Sequence, residues 1–312
     1  MTQRLVLVTT ANGMFGGQLV RELAGDPNVR VRAMVRDRSK FDVRAENVEV
    51  VVGDLDVPDS LVAPLAGVSH VFLTSPMDGR IAARESAVLD AASGGTAHVL
   101  KLHGAVDHSG DALGRQHEKV IARLQSSDLP WTLISPNSVL ETSLLPYAPL
   151  IAWSALVGMS GTGRVGFVGV ADVARVAAQV VRSGGHQAEN LLITGPAAIT
   201  MGEVAHALST ALGRPIRYYD LPEEEFAKML LADGGYPSRE VLETAVLCHM
   251  RAWRDGRAEL VTDTVEQVTG HAPQSAVDWA REHRAVFDRP LTPADEAAAG
   301  ELAQQLAPFL TT

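Results

Sequence analysis

Cysteine is nearly missing from this chain: Cys248 is the one thiol among 312 residues. A single cysteine excludes an intramolecular disulfide and fits the reducing cytosol, where a lone thiol inside a helix packs rather than reacts. Aromatic residues make up only 5% of the sequence. No apolar run approaches the roughly 20 residues that span a bilayer. The apolar stretch 5–8 is far too short for the hydrophobic core of a signal peptide. Positive charge is scarce as well, with 27 Lys and Arg against 37 Asp and Glu and a formal net charge of −10. That balance argues against gripping a nucleic-acid backbone, which takes concentrated Lys and Arg. There is no internal repeat and no Gly-x-Ser-x-Gly elbow of the kind hydrolases use. These absences predict a cytoplasmic, globular protein and argue against nucleic acid and membrane as its partners.

What is present begins at the start of the chain. An apolar strand, Leu5-Val6-Leu7-Val8, runs into Thr9-Thr10-Ala11-Asn12-Gly13-Met14-Phe15-Gly16, a glycine turn that opens a helix. The unpaired backbone N–H groups of such a helix start can accept a pyrophosphate. Gly13 lets the backbone approach phosphates, and Gly16 with Gly17 lets the helix pack closely on the strand. Arg36 follows Gly16 by 20 residues, at the end of a second apolar strand. An acidic residue there would hold the 2′-hydroxyl of NAD, whereas an arginine favours the 2′-phosphate of NADP, so the expected cofactor is NADPH; the plain alternative for Arg36 is a solvated surface charge. Arg38 and Lys40 add charge beside it. The departure is Thr10, which occupies the place of the first glycine. A β-branched residue resists positive φ, so either the turn runs at negative φ or its grip on the cofactor is weakened.

Short Val- and Leu-rich strands at 5–8, 29–35, 48–52, 71–74, 99–102 and 132–134 alternate with helices at 15–24, 61–66, 81–92, 113–125 and 144–153. Apolar strands in such alternation predict an α/β fold with a doubly wound parallel sheet of Rossmann type, whose ligands sit at the carboxyl ends of the strands. After about residue 155 the pattern changes. A turn at Gly161-Thr162-Gly163 precedes a helix at 173–181 and a strand at 190–194. Thr200 and Glu203 form a capping box for a helix to Leu212, ended by Gly213, and a further strand is expected at 216–219. Helices dominate 222–283, with turns at Gly234-Gly235 and Gly256 and helix starts at Thr262 and Ser275. The organisation read from this is a nucleotide-binding domain over 1–155, its sheet completed by parts of 156–200, a smaller, mostly helical substrate lobe over 200–288, and a helical tail over 289–312. The tail opens at Thr292-Pro293, with Asp295 and Glu296 in its first turn. Its stripe of Leu302, Leu306 and Leu310 fits packing on the body or on a second copy, a homodimer.

In order and spacing the chain resembles the NmrA-like atypical short-chain dehydrogenases/reductases. The resemblance covers about 4–288 and rests on the opening turn, Val31-Arg32-Ala33-Met34-Val35-Arg36, Val52-Gly53-Asp54-Leu55 and Leu73-Thr74-Ser75-Pro76. It continues through Leu129-Pro130-Trp131-Thr132-Leu133-Ile134-Ser135-Pro136, Val170-Ala171-Asp172-Val173-Ala174, Leu192-Ile193-Thr194-Gly195-Pro196 and Val268-Thr269-Gly270-His271-Ala272-Pro273. It implies an NAD(P)H-binding Rossmann domain with a smaller lobe, serving either quinone and dye reduction or redox sensing without turnover. It implies that Thr10, Asn12, Gly13, Met14, Phe15 and Gly16 cradle the cofactor, with Asp54 and Leu55 bordering the adenine. Thr74, Ser75 and Pro76 would border its ribose and diphosphate, and Asn137 and Ser138 would lie near the nicotinamide. For Asp54 the plain alternative is a strand-end turn residue.

The departures from the family matter too. His103 stands where a serine is frequent and Ser135 where an arginine is. The Tyr-x-x-x-Lys pair of ordinary short-chain dehydrogenases is absent: its tyrosine position falls near Leu113 and its lysine position near His117, where related reductases place a catalytic lysine. His103 and His117 are therefore the candidate proton donors, since histidine titrates near neutrality; the plain alternatives are a pocket-shaping residue and a hydrogen-bonded surface residue. Lys119 is expected on a different helix face, in solvent. No metal is expected, because His103, His108 and His117 lack helical ligand spacing and a cysteine companion. Phe226, Met229, Leu230, Tyr236, Met250 and Trp253 read as core. The leading expectation is NADPH-dependent reduction of a small apolar quinone, enone or ketone. The alternatives are a non-enzymatic NADP(H) sensor and a non-redox isomerase or cyclase.

Overall fold

The computed structural model describes residues 3–108, 110–232, 235–288, 290 and 292–293. Its centre is a seven-stranded sheet in the order β3-β2-β1-β4-β5-β6-β8, every pair parallel. The strands are β1 (Arg4–Val8), β2 (Val29–Val35), β3 (Val48–Val52), β4 (His70–Leu73), β5 (His98–Leu102), β6 (Trp131–Pro136) and β8 (Glu189–Ile193). Strands β4 and β5 are buried along their whole length, which is why Val, Leu and Phe dominate them without a polar–apolar alternation. Successive residues of β1 serve opposite faces. Val6 and Val8 join the core beneath the helices Met14–Leu23 and Val170–Ser183, and Leu7 joins the one that holds Leu89 and Val120. The chain leaves β1 toward β2 on one side, and β4 lies on the other. That reversal opens a crevice at the carboxyl ends of β1 and β4, where a doubly wound sheet takes its ligand.

Several expected elements shift. The segment 144–153 is three short pieces, Leu140–Leu144, a 3-10 turn Leu145–Tyr147 and Ala148–Ala152. Pro146 and Pro149 interrupt the backbone hydrogen bonds that one long helix would need. A strand unforeseen in the sequence, β7 (Ala155–Gly158), pairs in parallel with β9 (Arg217–Asp220) as a small second sheet. The helix expected from Thr262 starts at Thr264. The Thr262 hydroxyl instead donates to the Leu192 carbonyl at 2.7 Å, tying the loop to β8. The capping box at Thr200 and Glu203 forms as expected, and Gly213 ends that helix in the left-handed region at φ 74°.

A third core belongs to the lobe. It gathers Leu140, Tyr147 and Phe167 with the helix Met201–Leu212, then Trp253, Trp279 and Phe287. Phe226, Met229 and Leu230 sit in it as expected. Gly234 and the tail residues Asp295, Glu296, Leu302, Leu306 and Leu310 lie outside the described residues. Among the described residues no helix is long and apolar enough to cross a membrane.

Candidate active site

At the glycine turn, none of Thr10, Gly13, Gly16 and Gly17 has a positive φ. Gly13 caps the helix Met14–Leu23 in extended backbone, at φ −77° and ψ 166°. Thr10 is therefore compatible with the turn, and its carbonyl accepts from the Gly13 N–H at 2.8 Å. What demands glycine is proximity. A Cβ on Gly16 would lie 2.2 Å from the Thr10 carbonyl oxygen, and one on Gly13 would lie 3.1 Å from the same atom. The first-turn amides of Met14, Phe15 and Gly16 have no partner one turn earlier, so they are the donors a diphosphate would meet. Thr9 pins the other lip of the crevice: its hydroxyl donates to the Thr74 carbonyl at 2.6 Å and accepts from the Thr74 N–H at 3.1 Å.

Beside the turn, a groove is lined by Asn12, Gly13, Met14, Arg21, Ser39, Lys40, Asp42 and Arg44. Arg36 is exposed at the end of β2. Asp54 accepts from the Asp56 N–H at 2.9 Å, a local turn bond, and Leu55 is buried in the core beneath. Asp56 belongs to an ion cluster: Arg84 grips it with two bonds, at 2.7 and 3.0 Å, and reaches Asp78 at 2.8 Å. The bond from Arg84 holds the Asp56 carboxyl below its usual range, with Arg80 and Arg36 adding to the effect.

From the crevice a cavity of about 340 Å³ runs into the lobe. Phe15, Thr74, Ser75, His103 and Pro136 form its sheet side, and Tyr147, Tyr236, Val246, Met250 and Trp253 its lobe side. Tyr236, Met250 and Trp253 are thus wall residues as well as core. Pro76 is exposed beyond Ser75. Asn137 and Ser138 are buried in the wall, with their polar groups committed to the lobe. The Asn137 amide donates to the Ala258 carbonyl at 2.9 Å, and Ser138 Oγ accepts from the Trp253 indole N–H at 2.7 Å. They fix the lobe to the end of β6.

His103 and His117 come together at this cavity, with ring centroids 6.1 Å apart. Their expected protonation needs correction. Burial, reinforced by the Lys101 ammonium, lowers His103 to about 4 and drives His117 lower still. Neither is an imidazolium at neutral pH. His103 Nε2 lies 2.7 Å from Ser135 Oγ, which donates onward to Asn190 Oδ1 at 2.5 Å. Behind His117 lies a charged group that no local sequence spacing announces. Lys101 on β5 is fully buried, 2.8 Å from the buried Glu85 of the helix Ile81–Ala92, and its Nζ is 3.3 Å from His117 Nδ1. Lys119 is exposed, as expected.

A second histidine group corrects the expectation that His108 has no cysteine companion. Nδ1, Nε2 or Sγ atoms of His108, His249 and Cys248 lie within 4.8 Å of one another. The separation in sequence between Cys248 and His108 hid this. His108 spans from Asp111 at 3.0 Å to His249 Nδ1 at 2.9 Å. Cys248 points its thiol at the Thr244 carbonyl, and burial pushes it up to about 12. The two rings already satisfy each other.

A family model described as NAD(P)H-binding matches residues 10–183, more than half of the chain. The chain belongs to the NAD(P)H-binding family. It is 32% identical over 288 residues to an NAD(P)H azoreductase of Xenophilus azovorans, covering 91% of this chain and 99% of the relative. It is also 32% identical over 292 residues to a (4-alkanoyl-5-oxo-2,5-dihydrofuran-3-yl)methyl phosphate reductase of Streptomyces griseus, with the same coverage of 91% and 99%. In fold it matches an NADPH-dependent quinone oxidoreductase from Escherichia coli crystallised with NADPH, at a TM-score of 0.79 and 24% identity over 89% of this chain and 99% of that one. As a member of the NAD(P)H-binding family with such relatives, this chain is an oxidoreductase.

Lys101 hides in an apolar run, and Glu85 sits between Arg84 and Ser86 as an ordinary charged helix position. A lysine between Leu100 and Leu102 reads as the tolerated polar position of a strand. Their contact joins a strand to a helix that precedes it, so no local spacing announces it. The available signal was the charge itself inside a strand expected to be buried on both faces, since lysine is almost never fully buried unless paired.

Proposed function

We propose that this protein is an NADPH-dependent reductase of a small, largely apolar electrophile, a quinone, enone or ketone, acting by hydride transfer. The observation that carries this is the continuity of the cavity: it begins at Phe15 and Thr74, beside the glycine turn, and ends among Tyr147, Tyr236, Met250 and Trp253. The turn suits the cofactor, because Gly16 and Gly13 sit where a side chain would collide with the Thr10 backbone, at a helix start whose first-turn amides lack helical partners. Asn12, Ser39 and Lys40, with Arg21 and Arg44, suit a 2′-phosphate in the groove, and Arg36 adds positive charge at the end of β2. Thr74, Ser75 and Pro76 would follow the ribose and diphosphate, Asp54 and Leu55 the adenine, and Asn137 and Ser138 the wall at the nicotinamide end. When bound, the cofactor supplies a hydride. The chain's own residues exclude water with the lobe aromatics and present His103 and His117 to the acceptor.

The relatives' names support an unsaturated electrophile: one is an azoreductase and the other the reductase of an alkanoyl-oxo-dihydrofuranyl methyl phosphate. The test is calorimetric titration with NADPH and NADH, followed by NADPH oxidation against a panel of quinones, enones, ketones and azo dyes. Tight, NADPH-preferring binding with turnover of a panel member is expected. Tight binding with silence across the panel would sink the substrate assignment.

A further inference from the structure

A lysine with no solvent exposure, directly behind the wall of a reaction cavity, calls for a reason, because taking an ammonium out of water is strongly unfavourable unless partners replace the water. Lys101 has three such partners: Glu85 Oε2 at 2.8 Å, the Leu102 carbonyl and His117 Nδ1 at 3.3 Å. Glu85 is held in turn, its Oε1 accepting from Ser75 Oγ at 2.9 Å. An ammonium has no lone pair, so its contact with His117 runs from Nζ–H to Nδ1. That direction decides the tautomer. The single proton of the neutral His117 ring then sits on Nε2, in a ring that lines the cavity.

We infer that Glu85, Lys101 and His117 form a proton relay in which His117 Nε2–H is the acid that quenches the reduced acceptor. This rests on reading the cavity as a carbonyl-reducing site. As hydride adds to the acceptor with its electron pair, the carbonyl π pair moves onto oxygen. The oxygen takes the Nε2 proton, and the electrons of that N–H bond stay on the ring. Nδ1 takes a proton from Lys101 Nζ, so the ring stays neutral and changes tautomer. Lys101 is left an amine beside the Glu85 carboxylate until a solvent proton restores it. The overall balance is acceptor plus hydride plus one solvent proton. His117 is the catalytic residue. Lys101 and Glu85 act through it and position its proton. The relay answers the missing tyrosine at Leu113 and the histidine at the lysine position: the cation sits one shell deeper, on β5.

The test combines a spectrum with a rate. Nitrogen NMR of histidine-labelled protein without cofactor should show His117 as the neutral Nε2–H tautomer with a hydrogen-bonded Nδ1. Lys101→Met should abolish that bond and mix the tautomers. Because a stranded Glu85 charge could unfold that variant, the double variant Glu85→Gln with Lys101→Met removes both charges together. In either variant kcat should fall by about 100-fold, the lower end for a lost general acid, with NADPH affinity unchanged. An Nδ1–H tautomer in the wild type, or a double variant turning over at the wild-type rate, overturns the relay while leaving the reductase reading intact. A wild type silent toward every panel substrate overturns the reductase reading and the relay with it.

Discussion

Gly16 and Thr10 show that two positions of one turn answer to different physics. A methyl group on Gly16 would meet the Thr10 carbonyl carbon at 2.8 Å as well as its oxygen at 2.2 Å. Backbone cannot swing aside as a side chain tip can, so the helix must move off the strand. Gly16→Ala should therefore lower stability by about 1–3 kcal/mol, the range for overpacking, and weaken NADPH binding, read by thermal unfolding and titration on the same sample. Thr10→Gly is the contrasting variant. The turn needs no positive φ at this residue, so restoring the family's glycine should leave NADPH affinity within a few-fold. Its measurable effect should be a loss of about 0.5–1 kcal/mol from the freer unfolded chain. A large gain in affinity on Thr10→Gly would show that the turn is held open by the threonine after all.

Between elements, the joint that matters is β6 to the lobe. The Trp253 indole N–H reaches Ser138 Oγ at 2.7 Å, and the ring meets Phe167 edge-on with centroids 5.2 Å apart. Ser138→Ala leaves that indole donor buried without a partner, which costs about 1–3 kcal/mol. The expected result is a lower unfolding midpoint in urea and a raised KM for the electrophile. This joint also marks how far the sequence could be read. The Rossmann strands were legible because burial on both faces makes them short apolar runs, and the helix Ile81–Ala92 was legible to the residue. The strand Ala155–Gly158 was not, because four residues between Ser154 and Met159 carry no periodicity and find a partner only at Arg217–Asp220. The places of Gly16 in the turn-helix and of Arg36 at the end of β2 were legible from their spacing. The group of Glu85, Lys101 and His117 was not, because it is assembled from three elements. Ser138 was singled out as a neighbour of the nicotinamide; what the structure shows of it is a place in the cavity wall and a hydroxyl that accepts from the Trp253 indole.

For the whole molecule, the buried histidines make acid the condition that should unfold it first. Burial lowers His70 to about 4 and His249 to about 3, alongside His103 at about 4. Each binds its proton more weakly folded than unfolded, where histidine titrates near 6.5. Above that pH neither state is protonated and the native state has its full stability. Between about 6.5 and 4 the unfolded chain takes protons that the folded chain refuses, so stability falls as pH falls. One pKa unit corresponds to about 1.4 kcal/mol, and each of these histidines contributes on the order of 3 kcal/mol by the time its folded form is protonated. Carboxylates whose pKa values are lowered, such as Asp26 through its bond from Arg182, act in the same direction only at lower pH, below their ordinary value of 3.8. Urea unfolding stepped from pH 8 to 4 should therefore show a plateau and then a decline that begins near pH 6.5, well above the carboxylate range. His70→Gln, at the end of the sheet away from the cavity, should shallow that decline without touching turnover. A stability profile flat from pH 7 down to 4.5 would mean that these rings meet water or a carboxylate in the folded protein. The neutral His117 on which the relay depends would then lose its footing as well, since the same burial sets both.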